Sequence, residues 1–473
     1  MDVRNPRTGE VDYRFEPATP DEVAREAAAA RAAQRAWLHV GLEGRIDAML
    51  AFAKALDAHR DALTAQLTLD TGRYAESALE VQSVIGAIEH WCDRTPELLA
   101  TPAARPTRLP TVRSQLMRTP YALVGVISPW NFPLLLSFVD AIPGLLAGCA
   151  VLLKPSEVTP RFLEPLQAAL NDVPALASIF RIVKGGGDVG AALVGNVDTV
   201  CFTGSVATGR KVAAAAAEHF IAANLELGGK DPALVFADAD LARAAAALSW
   251  GSTVNAGQSC LSIERIYVED RARDRFVDAL VAATEALTLN IDDVNAGQIG
   301  PVISRPQADV LQAHLDDAVA KGARILCGGQ LIERGGLWCQ PTVLTDVSHD
   351  MLVMREESFG PLLPVMTFAD EDEAIRLAND TTFGLSAAVF TQDRERLYRV
   401  AARLEAGAVS ANDAGLTSFI HEGAKQAFKD SGLGGSRMGD DAVARFFRKG
   451  VVLDNVDVSW NPWWFQQNTG GQV

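Results

Sequence analysis

From residue 121 onward, short apolar runs rich in Val, Ile, Leu and Phe alternate with helix-forming segments, and no other feature constrains the fold as strongly. Strands are expected at 122–127, 150–153, 179–183, 199–202 and 233–236. A second series follows at 263–268, 323–326, 363–368, 387–390 and 408–410. Continuous apolar runs separated by helices indicate parallel strands covered on both faces. A chain of 473 residues also exceeds the size at which one core keeps growing. The expected fold class is therefore α/β, built as two doubly wound lobes.

Other segments stand outside this alternation. Thr19-Pro20-Asp21-Glu22 reads as a capping box that opens an alanine-rich helix to about Trp37. The Pro-, Thr- and Arg-rich stretch 101–120 fits neither lobe, and 451–458 reads as a lone strand. Both are expected to pair across a subunit contact. The aromatic segment Trp460-Asn461-Pro462-Trp463-Trp464-Phe465 is expected to dock on a neighbouring subunit, because exposed aromatics on a terminus are costly.

The net charge of -16 argues against a sequence-independent grip on nucleic acid or anionic lipid. The apolar stretch 134–153 is interrupted by Asp140 and Pro143, so no membrane span is expected. With no charged-then-apolar leader, the expected location is cytoplasmic. Six cysteines without C-x-x-C spacing suit neither a disulfide framework nor zinc, and the histidines show no metal-binding pattern. No metal is expected.

Five segments carry candidate chemistry. Cys260 ends Asn255-Ala256-Gly257-Gln258-Ser259-Cys260, a run of small and polar residues that suits an accessible loop, whereas Cys149 and Cys201 lie in apolar runs and read as core. A lone thiol in such a loop is inert more often than nucleophilic, so its companions decide. Glu226 and Gly228-Gly229-Lys230 follow an apolar strand, placing a carboxylate where backbone approaches a ligand closely; alone, it reads equally as an ion-pair partner. Asn131, held between prolines in Pro129-Trp130-Asn131-Phe132-Pro133, can serve as a fixed amide donor or as a turn residue.

Phe202-Thr203-Gly204-Ser205 precedes Gly209 and an alanine-rich helix, a strand-loop-helix junction whose free amides suit a pyrophosphate although the spacing departs from G-x-G-x-x-G. In Lys154-Pro155-Ser156-Glu157, the carboxylate can accept ribose hydroxyls and repel a 2'-phosphate. NAD is thereby favoured, with NADP the alternative that Lys154 leaves open.

These segments in this order, with Glu356-Glu357-Ser358-Phe359-Gly360-Pro361 downstream, resemble the aldehyde dehydrogenase superfamily from Asn5-Pro6 to about Leu453. The resemblance implies that Cys260 attacks the aldehyde, that Asn131 and the Cys260 amide hold the oxyanion, and that Glu226 activates the hydrolytic water. It implies cofactor contacts from Trp130, Lys154, Glu157, Gly187, Gly204, Ser205, Gly228, Glu357 and Phe359. Three domains follow: a Rossmann-like NAD-binding domain over 1–100 and 120–228, a catalytic domain over 229–430, and oligomerisation strands with a tail at 101–119 and 450–473. A homo-oligomer, dimer or tetramer, is expected.

The scheme is chemically coherent. A free thiol has a pKa near ~8.5, and its few per cent of thiolate at neutral pH suffices for attack. Cleaving the resulting thioester with water is general-base work, which Glu226 supplies and acyl transfer to coenzyme A would not need. Many relatives carry a second glutamate after Lys-x-Ser-Gly, whereas 429–437 has none, so Glu226 is expected to act alone.

Positions implied to line the substrate funnel are Phe132, Leu136, Val139, Leu261, Phe419, Ile420 and Lys425. Their apolar majority points to an aromatic or medium aliphatic aldehyde, while Lys425 would suit a semialdehyde. An inactive dinucleotide-binding homologue is the reading from a different class.

Overall fold

The computed structural model describes residues 1–457. The aromatic tail at 460–465 and its expected docking lie outside them.

The alternating runs form two sheets. In the first, the spatial order is Gly432–Leu433, Ala222–Glu226, Thr199–Thr203, Leu123–Ile127, Ala150–Lys154 and Phe180–Ile182. All neighbours are parallel except Gly432–Leu433, which pairs antiparallel with Ala222–Glu226. The chain leaves Leu123–Ile127 first toward one side of the sheet and then toward the other. The order therefore reverses between Leu123–Ile127 and Thr199–Thr203, where open α/β sheets bind ligands at their carboxyl ends.

The second sheet runs Arg324–Cys327, Thr342–Thr345, Leu362–Phe368, Ile263–Glu269, Asp231–Val235, Ser386–Phe390 and Ala408–Ala411. It is parallel except at Arg324–Cys327. Its strands feed two cores by simple alternation. Ala233, Val235, Ile266, Val268, Leu363 and Val365 pack on one face, whereas Leu234, Tyr267, Leu362, Ala387 and Val389 pack on the other. Both faces being dry explains the unbroken apolar runs, and each fully buried aliphatic contributes about 1.5–3 kcal/mol.

The lone-strand expectation needs correction. The stretch 101–120 and the C-terminal strand pair with each other: Val112–Pro120 lies antiparallel to Phe447–Asn455 over nine residues of each, with Arg105–Pro106 beyond. The terminal strand is thus not alone, and Val458 lies outside the described residues. Antiparallel strands whose partners are far apart in sequence leave no local signal. Residues after 430 also return to the first lobe: Gly432–Leu433 joins its sheet, and Ala442, Val443 and Phe446 enter its core.

Thr19 caps Pro20–His39 with the reciprocal Glu22 bond that the capping box requires. Among the described residues, no helix is long and apolar enough to cross a membrane, and no cluster of three or more His, Cys, Asp or Glu could hold a metal ion.

Candidate active site

A cleft of about 190 Å³ opens between the lobes, lined by Trp130, Asn131, Gly204, Ser205, Gly228, Cys260, Glu357 and Phe359 among others. The first sheet supplies residues that follow the carboxyl ends of its strands: Trp130 and Asn131 after Leu123–Ile127, Gly204 and Ser205 after Thr199–Thr203, and Gly228 after Ala222–Glu226. Cys260 and the pair Glu357 and Phe359 come from segments leading into Ile263–Glu269 and Leu362–Phe368. Eight of the candidate residues, far apart in the sequence, thus meet in one place.

Cys260 sits at the end of a backbone turn that few sequences could adopt. Asn255, Ala256 and Gly257 all have left-handed φ, at 55°, 54° and 71°. Such a conformation costs about 1–2 kcal/mol per non-glycine residue, so surrounding bonds must hold it. Asn255 Nδ2 donates to the carbonyls of Asn131 and Gln258 at 3.0 and 2.9 Å. Gln258 Nε2 donates to Asn255 O at 3.0 Å and Pro301 O at 3.2 Å, while Gln258 Oε1 accepts Ile303 N–H at 2.8 Å. Asn131 Nδ2 donates to Gln258 O at 3.0 Å, and Arg73 Nη2 donates to Asn131 O.

The thiol is half-buried, and its environment differs from the unperturbed one expected. Burial, then the carboxylates of Glu226 and Glu357, push the Cys260 thiol up to about 12, with Lys425 opposing them. Both anions are therefore close enough to be felt at Sγ. Glu226 ends its strand and faces a neighbouring cavity of about 170 Å³ that it shares with Lys425. Its Oε2 lies 3.9 Å from Arg437 Nε.

Glu357 is half-buried and accepts Gly229 N–H at 3.0 Å. Burial, aided by Glu264, raises its pKa to about 8. A Cβ at Gly228 would collide with this carboxylate, so glycine is what allows the two segments to meet. Beneath them, the carboxylate of Glu264 accepts Lys230 Nζ at 2.6 Å, Ser358 N–H at 2.7 Å and Phe359 N–H at 2.8 Å. That network holds the backbone at Phe359, whose ring meets Trp130 edge-on at 5.3 Å. Ser205 caps its helix by accepting Thr208 N–H at 3.3 Å.

Not every candidate lines this cleft. Lys154 is buried and donates to Glu157 at 3.1 Å. Its stem lies under Gly190 in the helix that Gly187 opens, beside the cleft along the same sheet. Phe132, Leu136 and Val139 are half-buried along the short helix Pro133–Phe138 and its two caps, and Leu261 is half-buried too. Phe419 and Ile420 are half-exposed, with Phe419 packed 6.1 Å from Trp250. Lys425 Nζ donates to Thr417 O at 3.0 Å.

Sequence reasoning missed Arg73, Asn255, Gln258, Glu264, Asp140 and Arg437. Only Asp140 left a signal: an acid inside an apolar run demands a buried partner. Arg437 Nη2 bonds it at 2.8 Å, and Arg445 bonds its other oxygen.

Comparison with known proteins gives a consistent picture. The model of the aldehyde dehydrogenase family matches residues 1–452. PutA of Anabaena variabilis is 52% identical and superposes with a TM-score of 0.96, covering 98% of this chain and 99% of that one. A betaine aldehyde dehydrogenase from Staphylococcus aureus, solved with NAD+, is 30% identical with a TM-score of 0.91, covering 98% and 94%. A 4,4'-diapolycopene aldehyde oxidase from Methylomonas sp. is 37% identical over 99% of this chain and 88% of the relative.

Proposed function

This chain belongs to the aldehyde dehydrogenase family, and from that premise we propose that it oxidises an apolar aldehyde, aromatic or medium aliphatic, to the carboxylic acid with NAD, using Cys260 as nucleophile. Members of the family are oxidoreductases acting on aldehydes. The observation that carries the finer reading is the meeting of Cys260, Asn131 and Glu357 in one cleft, with Glu226 close enough to act on the thiol electrostatically.

The cleft fits the cofactor. The Ser205 helix start can receive phosphate oxygens, Glu357 can engage ribose hydroxyls, and Phe359 and Trp130 flank the space for a flat ring. Lys154 and Glu157 would hold the other ribose, and the carboxylate of Glu157 disfavours a 2'-phosphate. When bound, NAD supplies a hydride acceptor and a positive charge.

Cys260 Sγ forms a bond to the aldehyde carbon as its proton passes to solvent. The oxygen becomes an alkoxide, for which the second N–H of Asn131 Nδ2 and the Cys260 amide are the donors. Loss of hydride from that carbon leaves a thioester on Sγ. Glu226 then takes a proton from water as it attacks, the C–S bond breaks, and the acid leaves. A base at this position supports hydrolysis over transfer to coenzyme A.

For the substrate, the half-buried apolar set Phe132, Leu136, Val139 and Leu261 supports an apolar aldehyde. Lys425, the one cation of the funnel set, donates to Thr417 O and lines a cavity with Glu226, and its charge is what would suit the semialdehyde alternative. The 1–100 and 120–228, 229–430, and 101–119 with 450–473 division into cofactor, catalytic and oligomerisation domains remains part of this proposal, as does assembly as a dimer or tetramer. The exposed edge residues Val451, Val452 and Leu453 on the terminal strand support such an assembly.

The test is a kcat/KM panel of benzaldehydes, aliphatic aldehydes and semialdehydes, followed by NADH absorbance for wild type and Cys260→Ala with NAD and NADP. The best rates are expected with apolar aldehydes and NAD, and none with Cys260→Ala. A semialdehyde preference would overturn the substrate reading, and coenzyme A dependence the hydrolytic one.

A further inference from the structure

The motif after Lys429-Asp430-Ser431-Gly432 lacks a glutamate, yet it brings a different charge to the site. Gly432 pairs with Glu226 across the edge of the first sheet, and Thr203 pairs with Glu226 on the other side. Arg437 follows five residues later and turns back over this row. Its Nη2 donates to Thr203 Oγ1 and to Asp140 Oδ2, each at 2.8 Å, and its Nε lies 3.9 Å from Glu226 Oε2. Asp140 and the Arg437 side chain are almost wholly buried, at 1% and 6% exposure.

Two guanidiniums share the single carboxylate of Asp140, since Arg445 holds its other oxygen. One positive charge is left over, and Glu226 is the anion beside it. The turn that delivers Arg437 is itself tied down: Gly435 N–H donates to Asn224 Oδ1 at 3.2 Å, and Ser436 Oγ accepts Lys425 N–H at 2.9 Å. A planar fork anchored at one nitrogen by two acceptors cannot follow Glu226 if that side chain swings.

We propose that Arg437, locked by Asp140 and Thr203, is the positioning residue that holds the Glu226 carboxylate in place for thioester hydrolysis. The inference rests on the reading of Glu226 as the base. The long contact matters chemically. A short bidentate pair would occupy the lone pairs that must accept a proton from water. At 3.9 Å the guanidinium attracts the carboxylate without capturing them. Lys425 lines the cavity that Glu226 faces and Cys260 feels its charge, and neither is anchored as Arg437 is.

Pre-steady-state NADH formation separates acylation from hydrolysis. With saturating aldehyde, Arg437→Met is expected to keep a stoichiometric first burst while steady-state turnover falls about tenfold or more, the scale expected for a mispositioned reacting group. Arg437→Lys is expected to recover part of that loss. Arg445→Gln, which alters the same buried cluster away from Glu226, is expected to lower the melting temperature while leaving the ratio of burst to turnover rates unchanged. A turnover within about twofold of wild type in Arg437→Met, or loss of burst and turnover together, would overturn the proposal. Should Arg437→Met fail to fold, Thr203→Val removes one anchor instead. A wild-type burst-to-turnover ratio in that variant overturns the proposal equally. Glu226→Gln is run alongside: if it turns over fully, the base assignment fails, whereas if it stalls while Arg437→Met does not, the positioning role alone fails.

Discussion

Asn131 Nδ2 donates to the backbone carbonyl of Gln258 at 3.0 Å, two residues before Cys260. One amide hydrogen is thus spent on the loop that carries the thiol, and the other is the one proposed to serve an oxyanion. The bond ties Asn131 to the Cys260 loop, and Asn131 O in turn receives Asn255 Nδ2 from the same loop.

Asn131→Ala should therefore lose both an oxyanion donor and a tether. Removing one such donor typically lowers kcat by about 10²- to 10³-fold. Steady-state kinetics with the best aldehyde checks this, and a loss confined to KM would contradict the assignment.

The raised thiol predicts how Cys260 alkylates. Burial, Glu226 and Glu357 disfavour the thiolate, so its population at neutral pH falls below that of a free cysteine. Modification of the cofactor-free protein by iodoacetamide, followed at Cys260 by mass spectrometry, should rise with pH without a plateau up to about pH 10. Glu226→Gln removes a repelling anion and should react faster at each pH. A plateau at neutral pH would contradict this environment.

Glu357 offers a stability test. Its folded pKa of about 8 stands above the unfolded carboxylate value, because burial outweighs the Gly229 hydrogen bond and Lys230. A raised carboxyl contributes stability fully below its unfolded pKa and loses it as pH climbs through the folded one. Glutamine mimics the neutral acid throughout and can still accept Gly229 N–H. The melting temperature of Glu357→Gln minus wild type should therefore grow between about pH 5 and pH 9. A difference that is flat or shrinks across that range would contradict the raised value.

Gly257 adopts φ +71°, and a Cβ there would collide with the backbone of Gly360. Both segments would have to move, and they carry Cys260 at one end and Phe359 at the other. Gly257→Ala is expected to destabilise by about 2–4 kcal/mol, the range for combined backbone strain and overpacking. Denaturant titration reads this directly, and a change below about 0.5 kcal/mol would show that the segments part easily.

Much of this molecule is legible in its sequence. The strands at 122–127, 199–202 and 263–268 declare themselves because two-sided burial demands unbroken apolar runs, and Thr19 with Glu22 marks a helix start through bonds only three residues apart. Cys260, Asn131 and Glu226 could be singled out because their types and their order along the chain carry meaning.

The pairing of 112–120 with 447–455, the left-handed turn before Cys260 and the Arg437–Asp140 lock beside Glu226 were not legible. Each depends on partners separated by more than a hundred residues, or on backbone angles that a local sequence does not favour. Residue types and short-range periodicity determined which elements form and which groups have the right chemistry. Only the tertiary structure decided distance, burial and partner, because those depend on how two lobes close over one cleft, and they in turn set the charge felt at a sulfur atom and the direction in which a carboxylate points.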